Sequence, residues 1–363
     1  MDFHQNFDYK IFDSLISSNI HFAIYRFPGG QDIHFILQES TTTETINSFA
    51  ELGGKLGFVV APFRITEKTP IDVIRPEIVL KGEKAIFEYL ANKKTNIVEE
   101  KVTQLTSSNA DTKENYSSKF DIFHSALTEG QFQKLVLSRT ADYEKGTSFS
   151  AGESFKRACE KFPYNFIFLS HTPKTGTWMG ISPELLVSEK DGIGKTVALA
   201  GTKELSAEWD EKNRREQQIV VDYMQQQLKK ADYEFSETEP FTVQSGNINH
   251  LKTEFTFDMS NRSRIGELLS LLHPSPAVCG FPKEEAFDFI CRNEGYERSY
   301  YSGFVGPLGI DGGSDLYVNL RCMQIGQETL RLYAGGGLLP SSDMHLEWNE
   351  TENKLQTILS VLR

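Results

Sequence analysis

Short apolar or alternating runs, separated by turn-forming residues, dominate the chain. HFAIYRF (21–27) and DIHFILQ (32–38) flank Pro28-Gly29-Gly30, which predicts a β-hairpin. LGFVVAPF (56–63) extends this β-rich opening. The stretch TQLTSSNADTKENYSS (103–118) is small, polar and nearly free of aliphatic residues, so a mobile surface loop is expected there. Beyond it, QFQKLVLSRTADY (131–143) predicts a strand, and Ser150 with Glu153 forms a capping box opening a helix to about Lys161. NFIFLS, TWMGIS and TVALAG predict further strands, followed by a long helix from about Ala207 to Lys230. The last third predicts a helix near 283–293, strands in YYSGFVGPLG, LYVNLRCMQI and TLRLYAG, and a closing helix from about Asp343. There is no regular βαβ alternation. Strands at hairpin spacing with a few helices predict an α+β fold built on large antiparallel sheets.

Composition narrows the class. Of 363 residues, 39% are hydrophobic and 24% charged, with 26 Phe and 13 Tyr, which supplies a sizeable core and excludes wholesale disorder, coiled coil and collagen. The length allows two domains or one large one. Thirty-eight basic against fifty acidic side chains give a net charge of −12, which disfavours nucleic acid and anionic membranes as partners. The four cysteines are scattered without a CxxC pair, the amino-terminal segment lacks the pattern of a signal peptide, and no apolar run is long enough to span a bilayer. These features lead us to expect a soluble, reduced, cytoplasmic protein.

Charged residues in apolar contexts are the candidates for chemistry. Glu216 precedes Ile219 and Val220 by three and four residues, on the stripe that continues through Tyr223 and Met224. A carboxylate facing inward requires a cation, either a buried Lys or Arg or a metal. On the closing helix, Glu347, Glu350 and Lys354 flank the stripe of Leu355, Ile358, Leu359 and Leu362; a plain Glu350–Lys354 helical salt bridge is the simpler reading. Gly335, Gly336 and Gly337 stand between a predicted strand and that helix, either opening backbone N–H groups to an anion or forming a tight turn. Lys134 shares a strand face with Val136 and Ser138, as an exposed edge residue or a buried base. Glu184, after Pro183, is a cap or a general acid. Arg321, inside an apolar run, is a bidentate carboxylate grip or half of a structural pair. Taken together, and without a nucleophilic Ser or Cys constellation, the set suits a Mg²⁺-dependent enzyme acting by acid–base chemistry on a small, multiply carboxylated molecule.

The ordered motifs QKLVLSR, GISPELL, ALAGT, KNRREQ, LHPSPAVCGFP, YYSGFVG, NLRCMQI, YAGGGLLP and EWNETENKL resemble those of the chorismate-utilising enzymes, and among them the isochorismate synthases of menaquinone and catecholate-siderophore pathways. The resemblance covers roughly residues 115–363. It implies one catalytic domain of two large stacked antiparallel sheets flanked by helices, with 1–105 as the variable amino-terminal part and 106–363 as the chorismate-binding region. It also implies roles by position. Lys134 is the base that activates water and Glu184 the acid that protonates the departing 4-hydroxyl. Glu216 and Glu350 are the Mg²⁺ carboxylates. Gly201, Thr202, Ala277, Arg321, Gly335 and Lys354 line the substrate site, Tyr301 touches the enolpyruvyl carboxylate, and His250 and His273 are pocket-lining or structural histidines.

The resemblance also separates sister activities. Aminodeoxychorismate synthases typically carry a lysine where Ala200 stands, and anthranilate synthases typically lack one at Lys134. Neither ammonia nor a glutamine amidotransferase subunit is therefore expected, and a monomer is. Salicylate synthase, or an inactive chorismate-binding partner, are the alternatives. The family's usual Lys-(Asp/Glu)-x-x-Glu-His reads Lys212-Asn213-Arg214-Arg215-Glu216-Gln217 here. The loss of an acid at Asn213 and a histidine at Gln217 is expected to thin the outer shell of the metal and weaken Mg²⁺ affinity.

Overall fold

The Pro-Gly-Gly turn joins two strands, His21–Arg26 and His34–Gln38, that pair antiparallel with Tyr25 opposite His34. Alternation along the first of them shows why it is buried throughout. Phe22 and Ile24 enter a core beneath helices, while Ala23 and Tyr25 enter a core shared with the other sheet. The computed structural model describes residues 7–42, 44–93, 111–245 and 248–362.

Two nine-stranded sheets result, and every pairing between their strands is antiparallel among the described residues. Tyr25, Phe168, Trp178 and Tyr333 of the first sheet meet Phe58, Val305 and Tyr317 of the second in an aromatic-rich middle layer. Helices Ile11–Ser17, Glu83–Asn92, Ala151–Lys161 and Met344–Leu359 cover the outside of the first sheet. Helices Glu211–Lys230 and Ile265–Leu272 cover the second. The predicted α+β architecture of two stacked antiparallel sheets with outer helices is the observed one. Strands within residues 21–81 form one edge of each sheet, and toward the other edge lie Lys134–Glu144, second from it, and Ile193–Glu204, third from it, both from the later part of the chain. Among the described residues, no helix is long and apolar enough to cross a membrane.

Several local expectations are corrected. Residues 103–110 of the expected loop lie outside the described residues, but its remainder is not a loop. Thr112 accepts a hydrogen bond from the Asn115 amide and starts helix Lys113–Thr128, whose Tyr116, Phe120, Phe123 and Leu127 are buried. The long helix begins at Glu211, four residues later than predicted, because Asp210 caps it through the Asn213 amide. The run LYVNLRCMQI is not one strand. Gly313–Val318 lies in the second sheet and Cys322–Ile325 in the first, and residues 319–321 carry the chain across, with Arg321 at φ 46°. Gly335, Gly336 and Gly337 lie inside strand Thr329–Leu338, opposite Ser138, Leu137 and Val136, rather than in a loop ahead of the closing helix.

Candidate active site

A cavity lies between strands of both sheets and the long and closing helices. Eleven of the thirteen residues singled out by motif line it: Glu184, Gly201, Thr202, Glu216, His250, Ala277, Tyr301, Arg321, Gly335, Glu350 and Lys354. Of the other two, Lys134 is fully buried, and its Nζ lies 2.9 Å from Glu216 Oε1 at the cavity wall. The exposed-edge reading of Lys134 is therefore wrong. His273 is absent from the lining and packs between the rings of Phe49 and Phe304, centroids 4.9 and 5.1 Å away.

The glycine run makes room for charge. A Cβ on Gly337 would fall 2.1 Å from Glu216 Oε1 and 2.9 Å from Lys134 Cε. On Gly336 it would stand 3.2 Å from Glu347 Oε2 and 3.6 Å from Glu350 Oε1. On Gly335 it would meet the Tyr301 hydroxyl at 2.8 Å. Three carboxylates thus converge on two successive glycines. Each has a lysine: Lys134 for Glu216, Lys212 for Glu347, and Lys354 for Glu350 at 2.6 Å. Lys354 also donates to the Gly335 carbonyl at 2.8 Å, which fixes its ammonium over the strand.

Burial sets the acidities here. Burial alone would raise Glu216, but Lys134 and then Lys212 more than offset it and hold the group below the ordinary carboxylate value. Glu347 goes the other way, raised first by burial and then by the neighbouring Glu350. Glu184, 3% exposed, is pushed up to about 8 by burial, with Lys134 and Lys354 opposing only in part. It is therefore a protonated carboxylic acid near neutrality.

Arg321, also in the lining, is buried and held at about 10, lowered by burial and partly restored by Glu350. It donates through Nη2 to His250 Nε2 at 2.8 Å. Because a guanidinium only donates, His250 Nε2 carries the lone pair and Nδ1 carries the hydrogen, which faces the Gly201 carbonyl at 3.1 Å. Burial, then Arg321 and Lys354, keep His250 neutral, well below its usual value. Tyr301 stacks on Tyr333 (centroids 5.3 Å), which stacks on Trp178 (5.4 Å), giving the cavity a rigid aromatic side.

Among the described residues, no cluster of three or more His, Cys, Asp or Glu side chains has the placement of a complete metal site. The donors nevertheless suit a hard divalent cation. They are all carboxylate oxygens, and Glu347 Oε2 is buried without a hydrogen-bond partner, beside Glu350 above Gly336. Sequence reasoning set Glu347 on the helix flank but gave it no role; its spacing of three from Glu350 was the signal that both face one site. The side-chain amides of Asn213 and Gln217 turn to the backbone of strand Ile193–Glu204. Asn213 accepts from the Thr202 amide at 2.8 Å, and Gln217 accepts from the Ala200 amide at 2.8 Å.

The sheet pair and this buried, mixed-charge cavity define a class. The family model described as chorismate binding enzyme matches residues 55–363, and the chain belongs to that family. Curated relatives include isochorismate synthase EntC of Escherichia coli K12, 29% identical over 244 residues that cover 64% of this chain and 62% of the relative. Isochorismate synthase MenF of the same strain is 30% identical over 250 residues, covering 65% of this chain and 57% of the relative. The chain thus spans about three fifths of the length of these relatives. A solved structure described as a candidate 2,3-dihydroxybenzoate-specific isochorismate synthase, DhbC of Bacillus anthracis, superimposes with a TM-score of 0.77 at 26% identity, covering 97% of this chain and 98% of that one.

Proposed function

We propose that this chain is an isochorismate synthase, converting chorismate to isochorismate by adding water at C2 and releasing the C4 hydroxyl. The observation that carries the reading is the pairing of Glu184, a buried acid protonated near neutrality, with Lys134, buried behind the wall of the same cavity. In its neutral form Lys134 takes a proton from the attacking water as the oxygen bonds to C2. The ring double bonds shift and the C4–O bond breaks. Glu184 donates its proton to that oxygen, which leaves as water, so one water enters and one departs. Each group is expected to contribute about 10²–10⁴ in rate.

Substrate positioning follows from the charges. Arg321, fixed by His250, would hold the enolpyruvyl carboxylate through its planar fork, with Tyr301 closing over it. Glu216 and Glu350 would hold Mg²⁺, which when bound supplies positive charge to the ring carboxylate. The relatives above are named isochorismate synthases, and Ala200, in place of the lysine of aminodeoxychorismate synthases, favours water over an amine.

Incubating purified protein with chorismate and Mg²⁺, without glutamine or ammonia, is expected to yield isochorismate on chromatography. Absence of product overturns the proposal. Accumulation of salicylate with free pyruvate replaces it by the salicylate synthase reading.

A further inference from the structure

Strand Ile193–Glu204 has an incomplete edge. On one side it pairs with Ile248–Asp258 along its length, from Ile193 opposite Asp258 to Glu204 opposite Ile248. On the other side, pairing with Leu185–Lys190 ends at Lys195. From Ala198 onward, the backbone groups of that second edge need partners from elsewhere.

The long helix supplies them. Gln217 donates through Nε2 to the Ala198 carbonyl at 3.1 Å and accepts at Oε1 from the Ala200 amide at 2.8 Å. These are the two groups, either side of Leu199, that a residue on an adjoining parallel strand would engage. One helical turn earlier, Asn213 Oδ1 accepts from the Thr202 amide at 2.8 Å while its Nδ2 donates to the Asp210 cap at 2.7 Å. Two side-chain amides therefore replace a strand across the point where the register with Ile248–Asp258 shifts and Gly201 takes φ 66°.

Residue type matters at both positions. A carboxylate at 217 would have no hydrogen to offer the Ala198 carbonyl, and an aspartate at 213 would place a second anion against Asp210. An amide carries donor and acceptor in one planar group at every pH. The irregular turn held in this way aims the Gly201 carbonyl at His250 Nδ1, and His250 Nε2 receives Arg321.

We propose that Asn213 and Gln217 are positioning residues that set the Gly201–Thr202 wall and, through Gly201 and His250, the direction of the Arg321 guanidinium. The link to substrate rests on reading the cavity as a chorismate site. The clasp on the wall does not.

The test compares the wild-type chain with Gln217→Met, which keeps volume but loses both bonds to the strand and a longer one to Thr253 Oγ1 at 3.4 Å, and with Asn213→Ala. Amide hydrogen exchange is expected to rise about tenfold or more at Ala200 in the first variant and at Thr202 in the second. With chorismate and Mg²⁺, KM is expected to rise roughly tenfold while kcat changes no more than about threefold, because the wall binds and does not transfer protons. Unchanged exchange at Ala200 and Thr202 overturns the clasp. Faster exchange with an unchanged KM reduces both residues to a stabilising role and overturns the positioning claim. If Gln217→Met does not fold, Asn213→Ala alone decides by the same two readouts. Should the wild-type chain not convert chorismate, the functional reading falls on its own. Exchange at these amides, and the ring ¹⁵N shifts that report the His250 tautomer, then decide whether the clasp controls the wall.

Discussion

Lys134 Nζ lies 2.9 Å from Glu216 Oε1, and the lysine is fully buried. The ammonium is within ion-pair distance but poorly aligned for a hydrogen bond with that carboxylate. Removing one partner of such a pair leaves an uncompensated buried charge, which typically costs about 3–5 kcal/mol.

The first expected outcome separates chemistry from that cost. Lys134→Met removes the base and its charge; Glu184→Gln removes the acid but keeps its shape. Turnover should fall by about 10²–10⁴ in each. Thermal unfolding should show a marked loss of stability for Lys134→Met only, since Glu184→Gln resembles the protonated native acid. If Glu184→Gln keeps the wild-type rate, Glu184 is not the acid.

The acidity of Glu184 gives a pH dependence with a definite sign. Its native value of about 8 stands above the ordinary 4.5, because burial disfavours the anion. Between those values the folded chain binds more protons at this site than the unfolded chain. The stability it contributes is complete below the unfolded value and is lost as pH rises through the folded one. Activity that needs the protonated acid should fall over the upper part of the same window. Melting curves and kcat profiles from about pH 6 to about pH 9 test both, and Glu184→Gln should flatten the stability trend attributable to this site.

Much of the site was legible because charge in an apolar context is conspicuous. Lys134 in KLVLSR, Glu216 on its helical stripe and Arg321 in NLRCMQI all announced themselves this way, and all converge on one cavity. The rest depended on partners distant in sequence. Nothing local in LYVNLRCMQI marks the step from one sheet to the other, since both halves are apolar and buried. The polar start of helix Lys113–Thr128 concealed Tyr116, Phe120, Phe123 and Leu127, whose spacings of four, three and four were the missed signal. For Gln217, the family pattern pointed to the metal, whereas the unpaired edge of a strand nearly twenty residues earlier determines its contacts.

Gly337 gives a purely steric outcome. Any Cβ there meets Glu216 Oε1 at 2.1 Å, so Gly337→Ala must displace the Lys134–Glu216 pair. Overpacking of this kind costs about 1–3 kcal/mol. A displacement of about 1 Å at catalytic groups costs on the order of 10² in rate. Gly146→Ala, where an added Cβ meets nothing within 4 Å, is the control and should match wild type. A fully active Gly337→Ala enzyme would show that the glycine run does not shape the site.

Divalent cation removal is the sharpest check on the carboxylates. Glu216, Glu347 and Glu350 crowd Gly336 and Gly337, with Glu347 Oε2 lacking a partner and Glu347 raised by burial and by Glu350. A cation binding there relieves that repulsion. Treatment with a chelator should abolish turnover, and Mg²⁺ should restore it. At about a hundred times its dissociation constant, Mg²⁺ should also stabilise the fold by about 2.7 kcal/mol, seen as a rise in Tm. Glu350→Gln removes an anionic ligand, so its Tm should respond far less to Mg²⁺. A Glu350→Gln protein that still gains the full Mg²⁺ shift would place the cation elsewhere, and chelator-resistant turnover would remove the metal from the proposed reaction.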